Sequence, residues 1–465
     1  MDSNLVLLEN VLRDSHRESG APLRHAEADV KYVRVRYANE RLPFLTTTLP
    51  SLGKAVLDGI ETGCFKCPPA FACRKGQALP KFLQGLLKLL FRPNGLLLPG
   101  PRDSRVVKGT LMVTMLCYKM ELPYKEESIQ SVISSFVEDE ADMRQWELPT
   151  DTHAQHVLSR ARGLIHTIFQ GFNPKEISPQ HGPGSVATGE VLNSKYVFQR
   201  KYQRLHQEYP YYEYFSPSMG MLSFESGWYQ KLQPTINPTA KVVLVPKDSR
   251  GPRLISMEPL EIQWIQQGLS KKFVKRVERH ALTRGFINFT DQTINRALAK
   301  EASQRGHLAT LDLKAASDRV PLKLVEYLFP EDLFNAMMAC RSTCTTLPSG
   351  EVLPLYKFAP MGSALCFPVM ATTLWALTQS ILTLDPDDLD EREELHALPR
   401  SPRPATFVYG DDLIVPTDAA VRVFAELPHY GLKLNEQKSY TTGLFRESCG
   451  MDAYFGDQVT PVRLR

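Results

Sequence analysis

Three carboxylates at two places in the chain carry its strongest chemical signal. Asp411 and Asp412 are adjacent in Tyr409-Gly410-Asp411-Asp412, between the apolar runs Thr406-Phe407-Val408 and Leu413-Ile414-Val415. Asp312 lies near the end of a third apolar run, Leu308-Ala309-Thr310-Leu311-Asp312-Leu313. Neighbouring carboxylates repel by roughly 1–4 kcal/mol at 4 Å, and hard oxygen ligands of this kind suit Mg²⁺, with Mn²⁺ as the alternative. Gly-Asp-Asp in isolation reads equally well as a polar turn facing water. Asp312 tilts the balance, because a carboxylate emerging from a buried strand is costly unless paired or metal-bound. Together Asp312, Asp411 and Asp412 can seat two divalent ions roughly 4 Å apart, the arrangement that clamps attacking and leaving oxygens in phosphoryl transfer.

Such a site must be positioned by rigid elements. The runs flanking Gly410-Asp411 predict a β-hairpin with Gly in its first central position, and Leu308 to Leu313 predict a buried strand beside it. Upstream, Val242 to Val245 predict a strand leading into a basic turn, Lys247 to Arg253, whose Lys247, Arg250 and Arg253 are candidates to neutralise a triphosphate. Ile262, Ile265, Leu269, Phe273 and Val277 recur at helical spacing. Lys271, Lys272, Lys275 and Arg276 give that helix a basic face, read either as solvated or as an RNA-binding surface. Thr290 or Asp291 predicts a cap for the next helix. Pro360 to Ala364, with Gly362, predicts a small-residue loop that a ligand backbone can approach, leading into an apolar helix from Leu365 to Leu377. Asp385 to Glu394 reads as a solvated acidic insertion, and Lys438 is a candidate proton donor to pyrophosphate.

Composition bounds these readings. A chain of 465 residues, 43% apolar and 23% charged, is globular and long enough for two or three packed subdomains. Phe82 to Leu98, the most apolar stretch, is broken by Lys88, Arg92, Pro93 and Asn94, so no membrane span is expected. Asp2, Ser3 and Asn4 do not read as a secretory leader, which makes a cytosolic setting the expectation. Cys64, Cys67 and Cys73 have metal-like spacing but no local fourth ligand, and the eight cysteines read as reduced thiols. Net charge is only +4, yet Lys231 to Arg305 holds fourteen Lys or Arg against six Asp or Glu, a local +8 that fits a phosphate-rich ligand. The aromatics Tyr209 to Tyr214, Trp228 and Tyr229 read as a packed patch rather than a base-stacking platform.

The order of these parts resembles the replicase β subunits of leviviruses, the single-stranded RNA bacteriophages. The resemblance runs through Val245-Pro246-Lys247, Arg253, Glu258-Pro259, Gln263-Trp264-Ile265-Gln266 and Asp291-Gln292-Thr293-Ile294-Asn295. It continues through Asp312-Leu313, Ala315-Ala316-Ser317-Asp318, Met361-Gly362, Tyr409 to Asp412, Phe445-Arg446-Glu447-Ser448-Cys449-Gly450 and Val459-Thr460-Pro461. It implies an RNA-dependent RNA polymerase of the α+β right-hand fold, with fingers and an antiparallel-sheet palm. On that basis residues 1–240 are an N-terminal region and fingers, 241–305 a basic fingers segment, and 306–465 the palm.

The same resemblance makes Asp312, Asp411 and Asp412 the metal centre and Lys247 and Arg253 the holders of the triphosphate, with Asp318 and Ser363 sensing the ribose hydroxyls. Ser363 departs from the Asn of relatives, and Leu254 stands where Pro is expected after Arg253. The implied partners are template and product RNA, ribonucleoside triphosphates, bacterial translation elongation factors and a ribosomal protein, in the cytoplasm of a bacterial host. Relatives continue into a thumb past the last motif, so a chain ending at Arg465 is expected to lack most of it and to elongate with poor processivity. Two rivals remain. A reverse transcriptase would carry a bulky aromatic where Asp318 stands, and a non-catalytic RNA-binding palm protein would have lost one of the three aspartates.

Overall fold

A computed structural model describes residues 3–216, 226–384 and 406–465. The fold is α+β. Helices dominate the first 170 residues, and the strands follow in short groups: β1 (Arg200–Tyr202), β2 (Gln233–Thr235), β3 (Thr239–Asp248), β4 (Gly251–Met257), β5 (Leu308–Leu311), β6 (Leu313–Lys314), β7 (Cys344–Thr346), β8 (Val352–Pro354), β9 (Phe407–Tyr409), β10 (Asp412–Pro416), β11 (Lys433–Leu434), β12 (Phe445–Ser448), β13 (Met451–Tyr454) and β14 (Asp457–Gln458).

The central sheet is antiparallel in the order β5-β10-β9, with Leu413 opposite both Leu311 and Val408. Leu308, Ala309, Leu311, Val408, Leu413, Ile414 and Val415 are all buried, so both faces of these strands are covered and a slipped register would disturb them. Helices complete the core. The Cys366–Thr383 helix, apolar apart from small or uncharged polar residues such as Thr372, Thr373 and Gln379, is buried almost all round and packs against the Thr152–Phe169 helix. It runs further than its sequence pattern predicted, to Thr383. The acidic stretch Asp385 to Glu394 lies outside the described residues.

The cores do not follow chain order. One joins residues from Ala154 to Leu434. A second unites the N-terminal helices Ser3–Glu18, Leu23–Glu40, Leu49–Thr62 and Ser104–Met115 with Tyr440, Phe445, Tyr454 and Val459. Glu61 fastens that junction by accepting the backbone N–H groups of Thr441, Thr442 (2.7 Å) and Gly443 (3.0 Å). Among the described residues no helix is long and apolar enough to cross a membrane.

Candidate carboxylate and phosphate-binding site

The predicted hairpin forms, with Tyr409 paired to Asp412 across a two-residue turn. Gly410 takes φ +65° in the first central position, as expected. A Cβ there would stand 2.1 Å from the Phe367 ring, so glycine is required both by conformation and by space. Phe367 in turn packs edge-on against Tyr409, at 5.5 Å between centroids, which seats the tip on the end of the Cys366–Thr383 helix.

Asp312 follows Leu311, the last β5 residue to pair with β10, so the register brings it beside Asp412. Asn435 Nδ2 donates to Asp312 Oδ2 at 2.9 Å, and Lys438 Nζ lies 3.2 Å from the same oxygen. The sequence-predicted Lys438 is therefore at the carboxylates, on a short 3₁₀ turn. Asp412 Oδ2 accepts the backbone N–H of Cys449 at 3.1 Å.

The three carboxylates share one field. Burial and then the Asp411 charge push Asp412 up to about 6. Burial followed by Asp312 raises Asp411, while Lys438 and Arg253 pull it the other way. Asp411 is nonetheless exposed to solvent. Burial works against the Lys438 ammonium, but Asp312, Glu447 and Asp411 outweigh it and hold its pKa above the ordinary lysine value. Glu447 is a fourth carboxylate in this field, pushed up to about 8 by burial and by Asp412. Nothing in its immediate sequence marked it apart from the motif it belongs to.

The donor set fits a divalent cation: neighbouring carboxylate oxygens, of which Asp411 and Asp412 are raised in pKa by burial and then by a neighbouring carboxylate. The ligand shell is not drawn closed, since among the described residues no three His, Cys, Asp or Glu side chains are grouped as a metal site. Asp312 is instead engaged with Asn435 and Lys438.

The basic turn sits where Arg253 reaches this field. β3 and β4 form a hairpin with a register shift between Val245 and Asp248. Its tip rests on the N-terminal helical region: Ser249 Oγ donates to Thr46 O at 3.2 Å, and Tyr124 Oη accepts the Lys247 N–H at 3.0 Å. Arg250 pairs with Asp248 at 2.7 Å and lies 4.8 Å from the Tyr118 ring centroid. Lys54 approaches the same ring at 5.4 Å. Lys247 and Arg253 stay exposed, and the crowding of cations shows at Lys247, whose pKa is lowered by burial and then by Arg253.

Several predicted residues have other employment. Arg276 donates to Ile168 O and Gln170 O, closing the C-terminal end of the Thr152–Phe169 helix. Lys272 donates to Asn173 O at 2.6 Å and pairs with Glu176, while Lys271 reaches Gln180 at 3.4 Å. Lys272 and Arg276 thus hold the protein's own backbone, while Lys271 and Lys275 stay exposed; periodicity marks a face but not what covers it. Ser363 is buried, and its Oγ accepts the Leu365 N–H at 3.3 Å. Gly362 takes φ +124°, and a Cβ would meet Ser256 O at 2.2 Å, so its glycine is demanded by the protein backbone first. The N-cap of the Thr293–Arg305 helix is Gln292, with no side-chain cap bond, rather than Thr290 or Asp291; Asp291, one residue earlier, accepts the Thr293 N–H at 2.8 Å. Cys64, Cys67 and Cys73 are free thiols. Tyr209 and Tyr211 are buried in the core, and Tyr211 stacks on Phe215 at 4.0 Å, a packed patch.

An α+β protein with a carboxylate cluster at a hairpin tip, faced by a basic hairpin, is the class this geometry defines. The family model described as RNA replicase, beta-chain matches residues 209–465, more than half of the sequence, and the chain belongs to that family. It is 35% identical over 230 residues to the RNA-directed RNA polymerase subunit beta of Qbeta virus strain MX1, covering 50% of this chain and 36% of that protein. Over 224 residues it is 32% identical to the RNA-directed RNA polymerase beta chain of Escherichia phage MS2, covering 48% of this chain and 37% of the relative. For the beta chain of Enterobacteria phage GA the figures are 26% over 303 residues, 63% and 52%. The matched region thus spans between about a third and a half of these relatives' length.

Proposed function

We propose that this chain carries the catalytic centre of an RNA-dependent RNA polymerase, with fingers and palm of the right-hand fold, that copies the genome of a positive-strand RNA phage. The observation that carries the reading is the joining of Asp312, Asp411 and Asp412 in one electrostatic field at the end of a buried antiparallel sheet, with Arg253 near enough for its charge to act on Asp411. Template and product RNA and ribonucleoside triphosphates are the substrates this implies. Bacterial elongation factors and a ribosomal protein, in the host cytoplasm, are partners proposed on the resemblance and on family membership.

In this reading the primer 3′-oxygen bonds to the α-phosphorus as the α–β bridging bond breaks, and pyrophosphate departs. Asp312, Asp411 and Asp412 would hold two Mg²⁺ ions, with Mn²⁺ as the alternative, which when bound supply charge neutralisation and a more acidic 3′-hydroxyl. Lys247 and Arg253 balance the triphosphate, Arg250 props the tip through Asp248 and Tyr118, and Lys438, kept protonated by its carboxylate neighbours, is placed to give its proton to the leaving pyrophosphate.

Primer extension on an RNA template with ribonucleotides and Mg²⁺, comparing the intact protein with Asp411→Asn, tests this. Activity should fall by at least about 10³-fold in the variant. Equal activity in the two proteins would sink the assignment of the carboxylates.

A further inference from the structure

Lys357 is among the largest fully buried side chains of the protein, and no part of the reading above uses it. A lysine is almost never buried without a compensating partner. This one has two. Its Nζ lies 2.7 Å from Asp318 Oδ1 and 3.1 Å from Glu140 Oε1, and 3.6 Å from the centroid of the Phe136 ring.

The partners are arranged asymmetrically. Phe136 and Glu140 are four residues apart on the Glu126–Gln145 helix and so present one face to Lys357. Glu140 is itself buried, and its other oxygen accepts the backbone N–H groups of Tyr356 (2.6 Å) and Lys357 (3.4 Å). Its whole carboxylate is therefore spent on holding residues 356–357. The backbone of that segment is held from a second side by buried Arg341, which donates to Leu355 O at 2.7 Å, Lys357 O at 2.8 Å and Phe358 O at 2.6 Å. A third side is ladder-like: Leu322 N–H donates to Tyr356 O at 3.0 Å and Phe358 N–H to Val320 O at 2.8 Å. Lys357 thus has a fixed backbone, an aromatic wall and a fixed counter-ion.

Asp318 differs. Its Oδ1 takes the shorter contact from Lys357, whereas among the described residues no protein donor is placed on Oδ2, and its side chain keeps 22% of its surface exposed. The adjacent Arg319 is locked by Asp139 (2.8 Å) and Asp142 (2.9 Å) of the same Glu126–Gln145 helix. One carboxylate oxygen is anchored and the other is free, on a segment that cannot drift.

We propose that Lys357 is a positioning residue for sugar recognition: it fixes Asp318 through Oδ1 so that Oδ2 accepts the 2′-hydroxyl of the incoming nucleotide, and so sets the preference for ribonucleotides over 2′-deoxynucleotides. This rests on the polymerase reading and on Asp318 as the ribose contact. Beside the ammonium the Asp318 carboxylate presents acceptor oxygens, which favours a ligand that brings a donor to that point. Glu140 and Phe136 extend the arrangement back to the N-terminal half of the chain, making the Glu126–Gln145 helix the outer wall of the sugar site.

The test uses the full chain with an RNA template and primer, measuring kcat/KM for one ribonucleotide and for its 2′-deoxy counterpart. Lys357→Met combined with Glu140→Gln removes the ammonium without leaving a buried charge unpaired. The ribo/deoxy ratio should fall by about tenfold or more, through loss on the ribonucleotide alone, because a site built to bond a hydroxyl discriminates only while its acceptor is in place. Adding Asp318→Asn to that variant should lower the ratio no further. Should the Met variant fail to fold, Lys357→Gln with Glu140→Gln keeps a buried polar group beside residue 140 but is one bond too short to hold Asp318 Oδ1 as the lysine does, and should still lower the ratio. A purely structural lysine would lower melting temperature and depress both sugars equally, and an unchanged ratio in a folded variant overturns the proposal. Wild-type chain that incorporates neither nucleotide on RNA would instead overturn the polymerase reading beneath it.

Discussion

Gly410→Ala is the substitution whose consequence the structure allows to be worked most fully. Alanine at φ +65° costs roughly 1–2 kcal/mol in left-handed backbone. Its Cβ would lie 2.1 Å from Phe367 Cε2 and 2.8 Å from Cζ, where an ordinary carbon contact is about 3.5–4 Å. Either the ring or the turn must therefore move by about 1.5 Å. The ring is braced by Tyr409 at 5.5 Å and Phe289 at 5.9 Å, so overpacking adds about 1–3 kcal/mol. Whichever moves, the aspartates are carried with it, and a displacement of that order costs about 10²-fold in rate.

Gly306→Ala is the matched control. It has φ +70°, but nothing lies within 4 Å of its Cβ position, so it incurs the backbone term alone. Thermal denaturation and single-nucleotide incorporation on both variants separate strain from collision. Gly410→Ala should melt lower than Gly306→Ala and lose about 10²-fold in incorporation, with the control near wild type. Equal melting and equal incorporation in the two variants would refute the argument that contact with Phe367 holds the tip.

Three further outcomes are expected. Lys438→Met should slow incorporation by about 10²-fold at saturating nucleotide if Lys438 donates the proton to pyrophosphate, and the solvent deuterium isotope effect should shrink with it; an unchanged isotope effect would remove it from that role. Arg276→Ala should lower stability by about 1–3 kcal/mol, because two helix-end carbonyls lose their donor, while RNA affinity measured by filter binding stays level; a selective loss of RNA affinity would return Arg276 to the RNA surface. Glu258 is fully buried, and burial raises its pKa against the donors Gln266 and Ser342, so the native state holds its proton more tightly than the unfolded chain does. Its contribution is complete below the unfolded glutamate pKa and is lost as pH rises through the folded one, so melting temperature should fall from about pH 5 upward, and Glu258→Gln should flatten that fall; a parallel slope in the variant would exclude Glu258 as its source.

The parts of this molecule that could be read from sequence are those whose cause is local. The hairpin at Gly410, the strand ending at Asp312 and the basic turn of β3 and β4 each depend on an apolar run or a turn residue within a few positions of its target. Arg276 and Lys272 show where that kind of reading stops. Helical spacing placed them together, but only the position of residues 168–176 reveals that they close a helix end. Lys357 was not singled out at all, because its meaning lies in Asp318, 39 residues away, and in Glu140, 217 residues away. The platform under the basic turn, built from Thr46, Tyr118 and Tyr124, is likewise a product of tertiary packing.

The second hydrophobic core has a consequence for how the chain is made. Its helices leave a ribosome well before Tyr440, Phe445, Tyr454 and Val459, which fill the same core. Arg102 and Tyr454, hydrogen-bonded in the finished protein, are separated by 352 residues. At ~5–20 residues per second the N-terminal helices wait about 20–70 s with an apolar surface uncovered. Through that interval they are a client for whatever holds nascent chains apart, and the strands that cover them also carry Glu447 and Cys449 to the aspartates. Burial of the early helices and assembly of the carboxylate site are thus one event, so a stalled or truncated nascent chain would present neither a finished surface nor a working centre.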